Sequence, residues 1–545
     1  MNRRSFLFTS LGSISLGALS GCSSFNDFFR PIASKGAIDI HTHIFNGNDV
    51  PVAGFLQQVI LRDPHQPPDD NFLSGAFLRL LAGVARIGTP TAAEEIARLE
   101  SEGLRVTPAG DVELQDEANL AAGLAKFTDE IQGRSAGLIA PEETAVIEKL
   151  FVETGYAPAP GALLGPEEIG RELSQRIYER EEAGRSDRYR RTSPFMQTLR
   201  WAALLTRQRT DILAELVRLY GGDEQIRVFS PSLVDFRYWF KLQERVTPRE
   251  AQIQVMSLIA KQSTDAVILN FAPFCPLRAA LERDRDIDAD TLAVVREAVM
   301  NKGFAGVKLY PPMGFRPWNN ADNRLEGAFR TPRGGGAALD VELERLYTWC
   351  AENDVPIKAH ANNSIAAGIC TGAFAHPAGW APVLDAHPDL RLNLAHFGGF
   401  DEETLGDDLC SASEENWEAE LSAMLERFPN LYFDIGYWTD AAGPNSPDRD
   451  RVLARTRALL EGTPVALERM MYGSDWSMIG REPGHEAYYS NVQTALSEIG
   501  LEKDELAAVE GGNARRYLGL TEGTKSFRRL AQFFGPDHLF SEVFG

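Results

Sequence analysis

Short apolar runs, each followed by a stretch of helical character, recur along this chain and constrain its architecture more than any other feature. They occupy residues 37–43, 227–233, 266–271, 305–310, 356–360, 390–396, 431–435 and 469–475. After the second run, helical patterns alternate with them at 248–262, 290–301, 341–353, 380–386, 415–428, 448–461 and 488–499. Strand–helix alternation of this kind requires parallel pairing with right-handed crossovers. Eight such units spread over about 300 residues match a (β/α)₈ barrel. The competitor is an open doubly wound sheet, but no glycine-rich phosphate loop follows the first run.

Between the first and second runs lies a long excursion with helical patterns at 75–85, 92–101, 116–132, 141–153, 166–183 and 194–220, punctuated by Gly and Pro, and with Thr91 placed as a cap. The expected fold class is therefore α/β, a (β/α)₈ TIM barrel with a large helical insertion after strand 1. Residues 36–45 and 226–520 form the barrel, 46–225 the insertion or cap, and 521–545 a C-terminal extension.

The beginning of the chain reads as an address. Arg3 and Arg4 precede Phe6 and Leu7 in the pattern of a twin-arginine signal, and the apolar run from Phe6 to Ala18 is too short for a membrane span. Leu19-Ser20-Gly21-Cys22 resembles the lipobox of bacterial lipoproteins, in which Cys22 would be acylated. Residues 1–22 are thus an export signal and 23–35 a tether, giving a periplasmic, membrane-anchored lipoprotein. With 77 acidic against 55 basic residues the formal net charge is −22, which argues against nucleic acid and against purely electrostatic binding to anionic lipid. Five cysteines without a C-x-x-C pair exclude a zinc–cysteine framework and a dense disulfide scaffold.

Only nine histidines are present, so their positions matter. His41 and His43, two apart at the end of strand one, point to the same side and make half of a nitrogen-rich metal site suited to zinc. His360, His396 and Asp475 end strands five, six and eight, all on the face where barrel enzymes build active sites. Asp39 and Asp434 read as buried groups that orient their neighbours. His376 and His387 read as loop or helix-end residues.

Asp39-Ile40-His41-Thr42-His43, Gly306-Val307-Lys308-Leu309-Tyr310-Pro311, Pro356-Ile357-Lys358-Ala359-His360, Leu394-Ala395-His396-Phe397-Gly398-Gly399 and Tyr472-Gly473-Ser474-Asp475-Trp476 together resemble the amidohydrolase superfamily. The resemblance is to its amidohydrolase-related branch, which also holds zinc-dependent decarboxylases. It implies a divalent metal, most often zinc, held by His41, His43, His360 and Asp475. Such a ligand set leaves room for a water whose pKa falls to about 7. Asp475 and His396 are the implied catalytic pair, Asp475 moving the proton and His396 polarising substrate or steadying the water. Lys308 is the candidate bridge to a second metal, although one ion is the preferred count. Arg316, Trp438, Trp476 and Arg481 are the candidate contacts to a small-molecule substrate. A metal-dependent hydrolase of an ester, lactone or amide is expected, with a nonoxidative decarboxylase of a small carboxylic acid as the alternative. A membrane-tethered binding protein without turnover is the alternative from another class, and a homo-oligomer is an open expectation.

Overall fold

The structure is a computed structural model and describes residues 36–55, 80–132, 141–154, 156, 165–186, 194–222, 225–240, 244–285, 289–325, 327–363, 371–399, 417–443, 446–482 and 484–545. The export signal, the tether and Cys22 lie outside the described residues, as do Cys370 and Cys410.

Strands β1 (Ala37–Thr42), β2 (Ile226–Pro231) and β3 (Val267–Ile268) pair in parallel in that order. Strands β4 (Phe271–Pro273), β5 (Gly306–Leu309), β6 (Ile357–His360), β7 (Leu392–Ala395), β8 (Leu431–Asp434) and β9 (Met470–Met471) form a second parallel sheet in sequence order. All of these segments are buried nearly throughout, as parallel strands covered by helices must be, which is why they read as continuous apolar runs. Nine segments arise from eight runs because the third run breaks at Leu269–Asn270. Asn270 sends its side-chain amide to the Met256 carbonyl (3.1 Å) and accepts the Ala305 amide on its own carbonyl (2.8 Å). The amide side chain, which an apolar strand cannot use, thus stitches the barrel wall to a helix.

The two sheets meet at both seams. Ser232 bridges Phe271, and Leu269 N–H donates to the Phe229 carbonyl at 2.9 Å. On the other side Thr42 bridges Trp476, Ile40 N–H donates to Tyr472 (3.1 Å), and Asp475 N–H donates to the His41 carbonyl (2.7 Å). The chain is a TIM-barrel α/β fold, and β1 and β9 lie side by side although more than four hundred residues separate them.

Within the insertion the described helices are Val52–Phe55, Ala92–Glu102, Ala109–Gln132, Pro141–Thr154, Pro166–Ser186, Pro194–Leu204 and Arg209–Tyr220, and residues 80–84 are helical as well. Thr91 caps its helix through a reciprocal box with Glu94, each side chain bonding the other's backbone N–H. The helical stretch expected at 194–220 is two helices, separated where Arg209 enters the interior. Its guanidinium, wholly buried, grips Asp49 (2.5 and 2.9 Å) and Glu95 (2.7 Å). Two carboxylates around one cation leave a net negative charge in a dry place, and burial pushes the Glu95 carboxyl up to about 7 against the pull of Arg209.

The C-terminal extension folds as helices Lys525–Phe534 and Leu539–Phe544, with Phe534, Phe540 and Phe544 buried. Lys261, in the barrel helix Arg249–Gln262, donates to the Phe534 carbonyl (3.0 Å), and Arg391 donates to Ser526 Oγ (3.0 Å). The extension therefore packs on the barrel's own helices. Among the described residues no helix is long and apolar enough to cross a membrane.

Candidate metal centre

Four imidazoles converge above the carboxyl ends of the strands. His41–His43, His41–His396 and His360–His396 ring centroids are 5.4, 4.8 and 4.5 Å apart. Space for them is made by glycine: a Cβ on Gly473 would lie 2.9 Å from the Cβ of His41, and one on Gly436 would lie 2.9 Å from its Nδ1.

Hydrogen bonds fix which nitrogen each ring presents. His41 Nδ1 meets Asp434 Oδ1 at 3.1 Å, and His43 Nδ1 meets the Ser232 carbonyl at 2.9 Å. Carboxylate and carbonyl oxygens accept, so in both rings Nδ1 carries the proton and Nε2 the lone pair. Those two Nε2 atoms lie 3.6 and 3.2 Å from Asp475 Oδ1. His396 gives its Nδ1 proton to the Gly436 carbonyl (2.9 Å) and turns Nε2 toward His360 Nδ1 (3.0 Å). His360 is then the donor in that pair.

Charge states follow from burial. His41 is held down to about 3 by burial and by the nearby Lys308 ammonium, and burial likewise lowers His43 and His360. Burial pushes the Asp475 carboxyl up, but His41 and His43 beside it outweigh burial and hold it well below the usual carboxylate range. Neutral imidazoles beside an ionised carboxylate are the protonation states that metal binding requires. Lys308, inside β5, reaches His41 Nε2 at 3.2 Å, and burial lowers its ammonium to about 8.

Two trios have ligand atoms within 4.8 Å of one another: His41, His43 and Asp475, and His41, His396 and Asp434. The structure therefore brings three of the four sequence-predicted ligands into one cluster and sets the fourth, His360, against His396. Asp434 is the residue whose part the sequence understates. Besides His41 it accepts from Asn393 Nδ2 (2.7 Å), Gly436 N–H (3.0 Å) and His396 N–H (3.2 Å), so one carboxylate orients two site histidines. Asp39 similarly ties β1 to the segment after β9, accepting from Ser474 Oγ (2.6 Å), Ser474 N–H (3.0 Å) and His41 N–H (3.1 Å). His396 and Asp475 both hold left-handed backbone, φ 71° and 58°, which costs a non-glycine residue on the order of 1–2 kcal/mol.

The residues expected to touch substrate are dispersed. Arg316 is paired with Asp322 (2.6 Å) and lies over the Phe374 ring at 4.8 Å. Trp438 and Trp476 are buried in the hydrophobic core. Arg481 ends the short turn Met478–Arg481, and its side chain lies outside the described residues. Next to Lys308 a narrow pocket is lined by Phe236, Trp239, Phe274, Tyr310 and Phe315.

The family model described as amidohydrolase matches residues 246–520, a span that contains His360, His396 and Asp475 and begins after β1 and β2. No curated protein matches the chain. Among solved structures, an uncharacterised TIM-barrel protein from Bordetella bronchiseptica shares 17% identity over 60% of this chain and 86% of its own, with a TM-score of 0.37. An amidohydrolase from Burkholderia multivorans with bound zinc shares 15% over 57% and 87% (TM-score 0.33). A probable 2-pyrone-4,6-dicarboxylic acid hydrolase from Acinetobacter baumannii shares 14% over 54% and 84% (TM-score 0.30).

Proposed function

The chain belongs to the amidohydrolase family, and from that premise we propose a metal-dependent hydrolase acting through an activated water on a small-molecule ester, lactone or amide. The observation that carries this reading is the buried trio of His41 Nε2, His43 Nε2 and Asp475 Oδ1, with both histidine protons already committed to an acceptor on the far side of the ring. That donor set suits a first-row divalent cation, zinc above all. His41, His43, His360 and Asp475 would hold it. Because His41 has engaged Nδ1 with Asp434, it can serve only one of the two trios, which favours one ion over two and leaves Lys308 as a buried cation rather than a bridge.

A cation held there supplies a Lewis acid and lowers the pKa of water to about 7. Asp475, ionised and facing both imidazoles, accepts the proton from the attacking water and returns it to the leaving group. His396, whose Nε2 faces His360 Nδ1 in this structure, would polarise the substrate or steady that water once that contact opens. In the pocket that Lys308 helps to line, Asp235 is neutralised by Arg278 in a two-pronged pair (2.5 and 2.7 Å), which leaves Lys308 as the cation facing that space among the described residues. The twin arginines and Cys22 support an exported, lipid-anchored form of the enzyme.

The test is a panel of lactones, esters and amides assayed for hydrolysis beside small aromatic and aliphatic acids assayed for carbon dioxide release, with wild type and Asp475→Ala. Hydrolysis by wild type that vanishes in the variant is the expected result. Carbon dioxide release without hydrolysis, or hydrolysis undiminished in the variant, would overturn it.

A further inference from the structure

The helical insertion meets the barrel at the two loops that carry metal ligands. On the β1 side, where the barrel runs into the insertion, the insertion's later helices hold its first residues: Gly47 N–H donates to the Leu205 carbonyl at 2.8 Å and Arg209 holds Asp49, both within six residues of His43. On the β9 side, the indole N–H of Trp201 donates to the Ser477 carbonyl at 3.0 Å, two residues beyond Asp475. Further along, Tyr220 Oη donates to the His485 carbonyl (2.7 Å). Trp201 and Ser477 are only 2% and 1% exposed, so the bond forms away from competing water.

We propose that Trp201 is a positioning residue for Asp475, and that the insertion braces the metal-ligating loops from both sides. The inference rests on the metal-centre reading above. Asp475 sits in a left-handed conformation that its own chain does not favour, and surrounding contacts must hold it there. The Asp475 carbonyl accepts from Met478 N–H (2.8 Å) and Ile479 N–H (3.3 Å), so residues 475–479 form one tight turn. The Ser477 carbonyl is a handle on that turn, also accepting from Gly480 N–H at 3.1 Å. Strand β1 holds the start of the turn, through Asp475 N–H to the His41 carbonyl and His43 N–H to the Trp476 carbonyl, and the Trp201 indole, from the helix Pro194–Leu204, holds its far side at Ser477. Removing the indole N–H leaves the turn held from β1 alone and loosens the placing of the Asp475 carboxylate against His41 and His43. Trp201 does not touch the reacting atoms; it acts through the turn.

Trp201→Phe keeps an aromatic ring and removes the donor. Chelator competition should show divalent-metal affinity weakened by about tenfold, the lower end of what removing an outer-layer partner of a metal ligand costs. The visible absorption of the cobalt-loaded variant should differ from that of cobalt-loaded wild type. Gln262→Met is the control: it removes a comparable bond between barrel and insertion, Gln262 Nε2 to the Leu99 carbonyl at 3.1 Å, remote from the ligands. It should lower thermal stability while leaving affinity and cobalt spectrum as in wild type. Should Trp201→Phe fail to fold, Tyr220→Phe removes a donor to the same loop and should show the same pair of changes. Wild-type affinity and spectrum in the folded variant, or equal changes in the control, would overturn the inference alone. A wild-type protein that binds no divalent ion would remove the metal-centre reading and this inference with it.

Discussion

Asp434 offers the sharpest perturbation because its carboxylate sits at the centre of four donors. His41 Nδ1, His396 N–H and Gly436 N–H share Oδ1 at 3.1, 3.2 and 3.0 Å, and Asn393 Nδ2 takes Oδ2 at 2.7 Å. Asp434→Ala strips the acceptor from all four. At about 1 kcal/mol for each buried donor left unsatisfied, the metal-free protein should lose about 4 kcal/mol. Free of its partner, the His41 ring can turn and take the other tautomer, so metal affinity should fall by about a hundredfold. Asp434→Asn should be far milder, for a reason visible in its neighbour. Asn393 Oδ1 is buried without a hydrogen-bond partner among the described residues. Flipping the Asn393 amide lets that oxygen accept from the NH₂ group the substitution introduces, while the carbonyl oxygen of the same new side chain still serves His41. What remains is the loss of charge, with affinity down about tenfold, or about 1.4 kcal/mol. Chelator competition measures the affinities and urea unfolding of the metal-free protein the stability. Wild-type affinity in Asp434→Ala would refute the claim that this carboxylate sets the His41 tautomer.

Other perturbations reach other parts of the molecule. In the buried Arg209 network the Glu95 carboxyl is raised in the fold from 4.5 to about 7 by burial, so the folded chain binds that proton more tightly than the unfolded one. The stability this confers is complete below about pH 4.5 and is lost as pH rises through about 7, a total of about 3 kcal/mol that Glu95→Gln lacks. Unfolding curves between about pH 5 and 8 whose wild-type-minus-variant difference stays flat would contradict this. His396→Ala should lower turnover at least tenfold while leaving metal content near wild type, because one ion uses His41 rather than His396; equal loss of both in elemental analysis would point to two ions. Cys22→Ser should move the exported protein from the membrane fraction to the soluble fraction, and continued attachment would dismiss the lipid anchor.

Much of the barrel is legible in the sequence because its strands are buried on both faces, and such strands leave uninterrupted apolar runs in which a polar residue stands out. His41 and His43 declare themselves by a two-residue spacing, and Asp475 by ending a run. The break in the third stave is harder to see, since Asn270 has a partner on a helix fourteen residues back rather than on the next strand. The part played by Asp434 is harder still, because its histidine lies 393 residues away and the residue itself looks like an ordinary polar interruption of β8. The left-handed backbone of His396 and Asp475 has no local signal either, neither being glycine. Arg316 shows the reverse: its place beside a strand end suggested substrate, while the structure pairs it with Asp322 six residues on, a contact that spacing on a loop does not reveal. Arg209 hides in a helical pattern that reads as amphipathic, and only the arrival of Asp49 and Glu95 from distant segments explains a guanidinium with no exposure.

Everything proposed for catalysis depends on a cation between residues that the sequence keeps far apart. Elemental analysis of the purified protein, with ions counted per chain in wild type and in Asp475→Ala, tests this most directly. About one divalent ion per wild-type chain is expected, zinc foremost, together with its loss from the variant. A wild-type protein that carries no such ion when loaded with zinc, or a variant that keeps its full complement, would contradict the assignment.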